Sequence, residues 1–148
     1  MSTSSGECRI VGCGNPERGD DAAGVLVARR LRELGANAFE HSGEGLALME
    51  SWLGCDSVIL IDAVITGAPP GTITAWNGNL APLRGATQGC TTHAFGVAEA
   101  VEMARILDRL PRRLLIYGIE GRKFELGSAP SPEVAQAVER LVLQLVQQ

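Results

Sequence analysis

Four side chains in this 148-residue sequence have the types and placement to do chemistry: the adjacent carboxylates Asp20 and Asp21, the carboxylate Asp62 and the imidazole His93. Asp62 directly follows the apolar run Val58-Ile59-Leu60-Ile61, so it belongs at the rim of a sheet. The ordinary role for such a residue is a cap or a hydrogen bond to a neighbouring loop. Asp20 and Asp21 precede a helical pattern, where carboxylates interact favourably with the helix dipole. Neighbours in sequence point different ways, so only one of the two need face a cleft. His93 is one of only two histidines and opens a second helical pattern, a place where histidine is usually structural. Together, two carboxylates and an imidazole from separate loops on one rim make a three-ligand set with a fourth position open. That set suits a borderline divalent metal with room for substrate or water. His41, the other histidine, stands beside Ser42-Gly43-Glu44-Gly45 and is the weaker candidate.

The elements that must position these groups follow from hydrophobic period. Cys8 to Cys13 (CRIVGC) reads as a buried strand running into a glycine turn. Helical spacing of Val25, Leu26, Leu31 and Leu34 follows, with Gly35 as its C-terminal stop. A weak strand spans 37–41, and a helix then places Leu46, Met49, Trp52 and Leu53 on one face. Residues 56–64 carry the strongest strand signal in the chain. The Gly-Ala-Pro-Pro-Gly turn at 67–71 leads into an antiparallel or edge strand at 72–76, and a polar loop covers 77–89. Thr91 and Thr92 are N-cap candidates for a helix through about Leu110, with Phe95, Ala98, Val101 and Ile106 in its buried stripe. Residues 113–119 form the next strand, and Glu120 after it either borders the cleft or, the more ordinary role, is a surface loop charge. Ser131 and Pro132 open a last helix that buries Val134, Val138, Leu141 and Leu145. Strands alternating with helices, several of them apolar throughout, argue for a parallel or mostly parallel sheet covered on both faces. In open sheets of this kind, sites gather beyond the carboxyl ends of the strands.

Composition narrows the function. The length fits one domain over residues 1–148. A net charge of −4 and a single lysine, Lys123, give no basic surface for a phosphate backbone, so no nucleic-acid partner is expected. No run approaches the roughly 18 apolar residues of a membrane span, and the polar N-terminus carries no signal-peptide pattern. Cys8, Cys13, Cys55 and Cys90 lack Cys-x-x-Cys spacing, which suits free thiols in a reducing cytoplasm. Gly12-x-Gly14 between a strand and a helix invites a dinucleotide reading. However, Glu17 occupies the third glycine position and two carboxylates stand where a pyrophosphate would bind. No Gly-x-Ser-x-Gly elbow is present.

The string VGCGNPERGDDAAGV resembles the opening signature of the hydrogenase maturation proteases: a strand, Gly-x-Gly-Asn, then two acidic residues and a glycine. DAVITGAPPGT is similar to that family's second block, THAFGVAEAV to its third, and YGIEGRKFELGSAPSPEV to its C-terminal region. The order holds over nearly the whole chain. The resemblance implies a three-layer α/β/α sandwich, phosphorylase/hydrolase-like, with a mostly parallel mixed sheet of about five strands. It implies an endopeptidase that removes the C-terminal extension from the nickel-loaded precursor of a nickel-iron hydrogenase large subunit. It places the metal-contacting carboxylates on Asp21 and Asp62 and the histidine on His93. The nickel is then supplied by the substrate, with no organic cofactor. Two departures stand out: Asp21 occupies a position often glutamate in relatives, and Ser42-Gly43-Glu44-Gly45 replaces a loop often written Gly-Thr. The rival readings are a non-cleaving nickel-recognising chaperone and a peptidyl-tRNA hydrolase-like enzyme, which shares the strand-Gly-x-Gly-Asn-Pro opening. The latter lacks the histidine expected soon after that turn.

Overall fold

The computed structural model of the protein describes residues 7–80 and 92–147, with side chains in the second span described from residue 96 onward. The apolar runs form strands β1 (Cys8–Cys13), β2 (Ala38–His41), β3 (Ser57–Val64), β4 (Ile73–Asn77) and β5 (Arg113–Glu120). The helical patterns form α1 (Ala23–Glu33), α2 (Gly45–Ser51), α3 (Thr92–Ile106) and α4 (Pro132–Val146). One five-stranded sheet has the order β2-β1-β3-β5-β4. β1 runs parallel to β2 and β3, and β3 runs parallel to β5. Among the described strands only β4 is antiparallel, on the edge beside β5, as its flanking Pro-Pro-Gly turn predicts.

Strands apolar on both faces need cover on both faces, and the helices divide accordingly. α2 and α3 bury Leu48, Trp52, Val97 and Val101 against Val58, Leu60, Leu114 and Ile116. α1 and α4 bury Val27, Leu31, Val134 and Leu141 against Ile61, Tyr117 and Ile119 on the other face. The chain leaves β1 towards β2, then crosses back to β3 on β1's other side. That reversal opens a crevice beyond the carboxyl ends of β1 and β3, where ligands bind in sheets of this type.

α1 lies against this crevice backbone to backbone. A Cβ on Gly12 would sit 2.0 Å from the Gly24 carbonyl oxygen, and one on Gly24 would sit 2.3 Å from that of Ile61. Only glycine at both positions allows such an approach. α1 ends as its sequence predicts: Gly35 adopts φ +92° and donates its N–H to the Arg32 carbonyl at 3.0 Å.

Packing corrects three details. α2 buries Leu48, Met49 and Trp52, while Leu46 and Leu53 are exposed, because the inward face is rotated to positions 45, 48, 49 and 52. α3 stops at Ile106, which is exposed, because the backbone turns through Asp108 at φ +58°. Its buried stripe is Val97, Ala100, Val101 and Ala104. Leu34, past the end of α1, is also exposed. The last helix buries Val134, Val138, Leu141 and Leu145 as their spacing predicts. The Thr91 cap, Cys90, most of the 77–89 loop and the segment 1–6 lie outside the described residues, as does the Phe95 side chain.

Candidate functional site

β1 delivers its end to the crevice and the chain then doubles back on itself. Gly14 makes this possible at φ +136°, and a Cβ there would stand 2.0 Å from the Asp21 carbonyl oxygen. Asn15 Oδ1 accepts the Glu17 N–H at 2.9 Å, closing an Asx turn. The acidic pair sits in a separate 3-10 turn, Gly19–Ala22, ahead of α1 rather than in its first turn. This corrects the helix-dipole expectation and sends the two carboxylates to different places.

Asp21 is 2% exposed and its Oδ2 accepts the Asn15 N–H at 3.0 Å. Asp62 lies within β3, paired with Gly118 of β5. The β1–β3 ladder ends one residue earlier, at Gly12 and Ile61. Asp62 therefore enters the space that β1 vacates as it turns away. It is 3% exposed and its Oδ1 accepts the N–H of Ala63 at 2.8 Å. Burial pushes its carboxyl well above the usual range, the Asp21 charge raises it further, and the Ala63 N–H opposes both. Among the described residues it pairs with no cation. Cys13 completes the cluster. Burial raises its thiol strongly, and the Asp62 and Asp21 charges add to that, so it stays a neutral thiol. Sequence reasoning took Cys13 for a small hydrophobe in a strand. It is that, and it also neighbours both carboxylates.

The structure thus brings Asp21 and Asp62 together. His93 falls in the first turn of α3, and its side chain lies outside the described residues. The helix that carries it reaches the same rim. A Cβ on Gly96, one turn later, would sit 2.0 Å from the Gly43 carbonyl oxygen, and one on Gly43 would sit 3.7 Å from Cys13 Cβ. His41 is also on this rim. Its carbonyl accepts the Gly14 N–H at 3.0 Å and its Nδ1 accepts the Gly43 N–H at 2.9 Å, which holds the loop. A shallow hollow lined by Gly14, Pro16, Glu40, His41 and Ser42 adjoins the Asp21 loop. A larger one, about 440 Å³, opens at the opposite end of the strands beneath Cys8, Ser57 and Arg113, with no carboxylate in its lining. Among the described residues no three of His, Cys, Asp and Glu are grouped to hold a metal ion.

Two further carboxylates are buried in roles that the sequence does not reveal. Asp20 is fully buried and accepts the N–H groups of Arg122 (2.8 Å), Lys123 (3.0 Å) and Ser131 (2.6 Å) and the Ser131 hydroxyl (3.1 Å). Burial pushes its carboxyl up, but these hydrogen bonds outweigh it and hold it below its usual value. Ser131 stands at the N-cap of α4, yet its hydroxyl serves Asp20 rather than the helix. Glu120 is 3% exposed, not a surface charge, and accepts the Thr66 N–H (2.9 Å), the Thr66 hydroxyl (2.7 Å) and the Gly67 N–H (3.2 Å). The signal that marks Asp62, a carboxylate directly after an apolar strand, is present at Ile119-Glu120 as well.

A crevice at the strand-order reversal, floored by two buried carboxylates that repel each other, is a place to bind a cation or to take a proton from water. The family model for hydrogenase maturation protease matches residues 41–148. The chain belongs to the hydrogenase maturation protease family. Its span in that match includes Asp62 and His93, with Asp21 ahead of it. The protease is 27% identical over 98% of its length to the hydrogenase expression/formation protein HupM of Azotobacter chroococcum, covering 73% of that protein. Its fold is that of the nickel-iron hydrogenase maturation protease HybD from Thermococcus kodakarensis. The TM-score is 0.78 at 24% identity, over 95% of this chain and 97% of that one. The maturation protease HycI from the same organism superposes with TM-score 0.70 at 27% identity, over 95% and 90%. The maturation protease is therefore a peptidase on a mixed, mostly parallel α/β sheet, and the peptidyl-tRNA hydrolase reading falls away.

Proposed function

We propose that the protease removes the C-terminal extension from the nickel-loaded precursor of a nickel-iron hydrogenase large subunit, as one domain over residues 1–148 acting in the cytoplasm. The observation that carries this reading is the pairing of Asp21 and Asp62, both buried and mutually repelling, in the crevice between β1 and β3. Two anionic oxygen donors held together in low dielectric gain from a divalent cation brought by the substrate. We take His93, in the first turn of α3, as the third contact, since an imidazole suits nickel. The nickel is part of the substrate, so contact with it checks that the precursor is loaded before the bond is cut. Bound substrate then lies with its scissile carbonyl over the crevice, and Asp62 takes the proton of the attacking water. The free thiols Cys8, Cys13 and Cys55 suit a reducing compartment, and no described helix is long and apolar enough to cross a membrane.

Variants test the assignment. Asp62→Asn is expected to lower cleavage of the loaded precursor by about 10²- to 10⁴-fold, the usual contribution of a general base. His93→Ala is expected to abolish cleavage while leaving circular dichroism unchanged. Normal processing by His93→Ala would remove that residue from the site. Tight binding by the parent protein with no peptide released would make the role that of a chaperone.

A further inference from the structure

Asp20 and Glu120 are buried carboxylates that the proposed chemistry does not use. Both grip loops that carry the pair that does. Glu120 closes β5, and the chain after it, residues 121–131, runs across the rim. At one end this segment holds the strand of Asp62. The Gly121 N–H donates to the Val64 carbonyl at 3.0 Å, and the Glu120 carboxylate gathers Thr66 and Gly67 just beyond. At the other end it holds the turn of Asp21. Asp20 N–H donates to the Lys123 carbonyl at 2.7 Å, Gly19 N–H to that of Ser128 at 3.0 Å, and Gly127 N–H to that of Glu17 at 2.7 Å. The Asp20 carboxylate then ties the same turn to Arg122, Lys123 and the N-terminus of α4. A Cβ on Gly121 would meet Asp20 Cβ at 2.7 Å, so the two grips are in contact where the segment crosses.

A packed apolar side chain or a neutral hydrogen bond could bury these places more cheaply than an ion that has no cation beside it among the described residues. Asp20 is instead held by four donors from three residues, Arg122, Lys123 and Ser131. Each donor fixes the carboxylate's angle as well as its place. We propose that Asp20 and Glu120 are positioning residues: a buckle, made of these two carboxylates and the segment 120–131, sets the separation and facing of Asp21 and Asp62. This rests on the reading of Asp21 and Asp62 as the reacting pair. Reacting groups must be held within about 0.5 Å of their working geometry, and a misplacement of about 1 Å can lower a rate 10²-fold.

The buckle can be loosened from the partner side without touching either carboxylate. Ser131→Ala removes only the hydroxyl donor to Asp20, and Thr66→Val removes only the hydroxyl donor to Glu120. Asp20→Asn is the stronger perturbation, since its amide can serve Ser131 N–H but turns an N–H₂ towards Arg122 and Lys123. In crystal structures of the parent and of Asp20→Asn, the Asp21–Asp62 carboxylate separation is expected to change by about 0.5 Å or more. With loaded precursor, well below the melting temperature, kcat is expected to fall about 10-fold or more in the Ser131→Ala/Thr66→Val double variant, with KM within about twofold. Val142→Ala, on the buried face of α4, supplies a stability-matched control and is expected to lower the melting temperature while leaving kcat unchanged. An unchanged carboxylate separation, or a kcat loss that merely follows melting temperature as in Val142→Ala, overturns the buckle. A parent protein that cuts nothing overturns the proposed function instead, while the crystallographic separation still decides the buckle.

Discussion

Asp62→Asn is expected to make the protein more stable at neutral pH while disabling it. Asp62 is 3% exposed, its Oδ1 accepts the Ala63 N–H, and the Asp21 charge presses on it. Its folded pKa lies above its unfolded value of about 3.9. The folded state binds the proton more tightly, so this group's contribution to stability is full below the unfolded value. It is lost as pH rises through the folded one. Asparagine retains an oxygen for Ala63 N–H and presents an amide to Asp21, with no charge to desolvate. Relief at a functional site of this kind is worth about 0.5–2 kcal/mol. For a chain of this length that corresponds to a rise in melting temperature on the order of 1–8 °C at pH 7. Thermal unfolding by circular dichroism of parent and variant, at pH 7 and near pH 3.5, reads both the gain and its disappearance in acid. An unchanged or lowered melting temperature at pH 7, or a gain that persists undiminished in acid, would refute the reasoning about this pair.

Other consequences are read from the same geometry. Gly24→Ala puts a methyl 2.3 Å from the Ile61 carbonyl oxygen and 2.5 Å from that of Cys13, so α1 must retreat; urea unfolding should show a loss of at least 1–3 kcal/mol, about the size of ordinary overpacking. Trp52→Ala empties a site that is 1% exposed and breaks the indole N–H bond to the Arg109 carbonyl, and the same assay should show about 3–5 kcal/mol. Asp20 works in the opposite sense to Asp62. Its folded pKa is lowered, so its contribution is present above the unfolded value and is lost as pH falls through the folded one. The melting temperature of Asp20→Asn should therefore fall less steeply than that of the parent as pH drops below about 4.

The division between legible and illegible features has physical causes. Period and punctuation placed β1, β3, β5 and α4, because a strand buried on both faces or a helix with one apolar stripe leaves its mark residue by residue. The antiparallel edge at β4 was legible from Pro69-Pro70-Gly71, since proline is tolerated at a sheet edge. The placement of Asp62 at a rim was legible from the apolar run before it. The division of labour between Asp20 and Asp21 was not. A 3-10 turn and a first helical turn share a sequence pattern but point successive side chains differently. Glu120 was misread for a related reason: its partners Thr66 and Gly67 lie more than 50 residues away, and no local pattern records a loop that returns to cover a strand end. The faces of α2 and α3 turned out rotated because α2 and α3 also pack on each other, which the period of a single helix does not encode.

The most direct test of the central claim is mass spectrometry of a host large-subunit precursor after incubation with the protease, with the nickel-loaded and nickel-free forms in parallel. The account predicts release of a C-terminal peptide from the loaded form alone. Release from both forms would contradict the nickel check at Asp21, Asp62 and His93, and a loaded precursor that is bound but left intact would contradict the proposed cleavage itself.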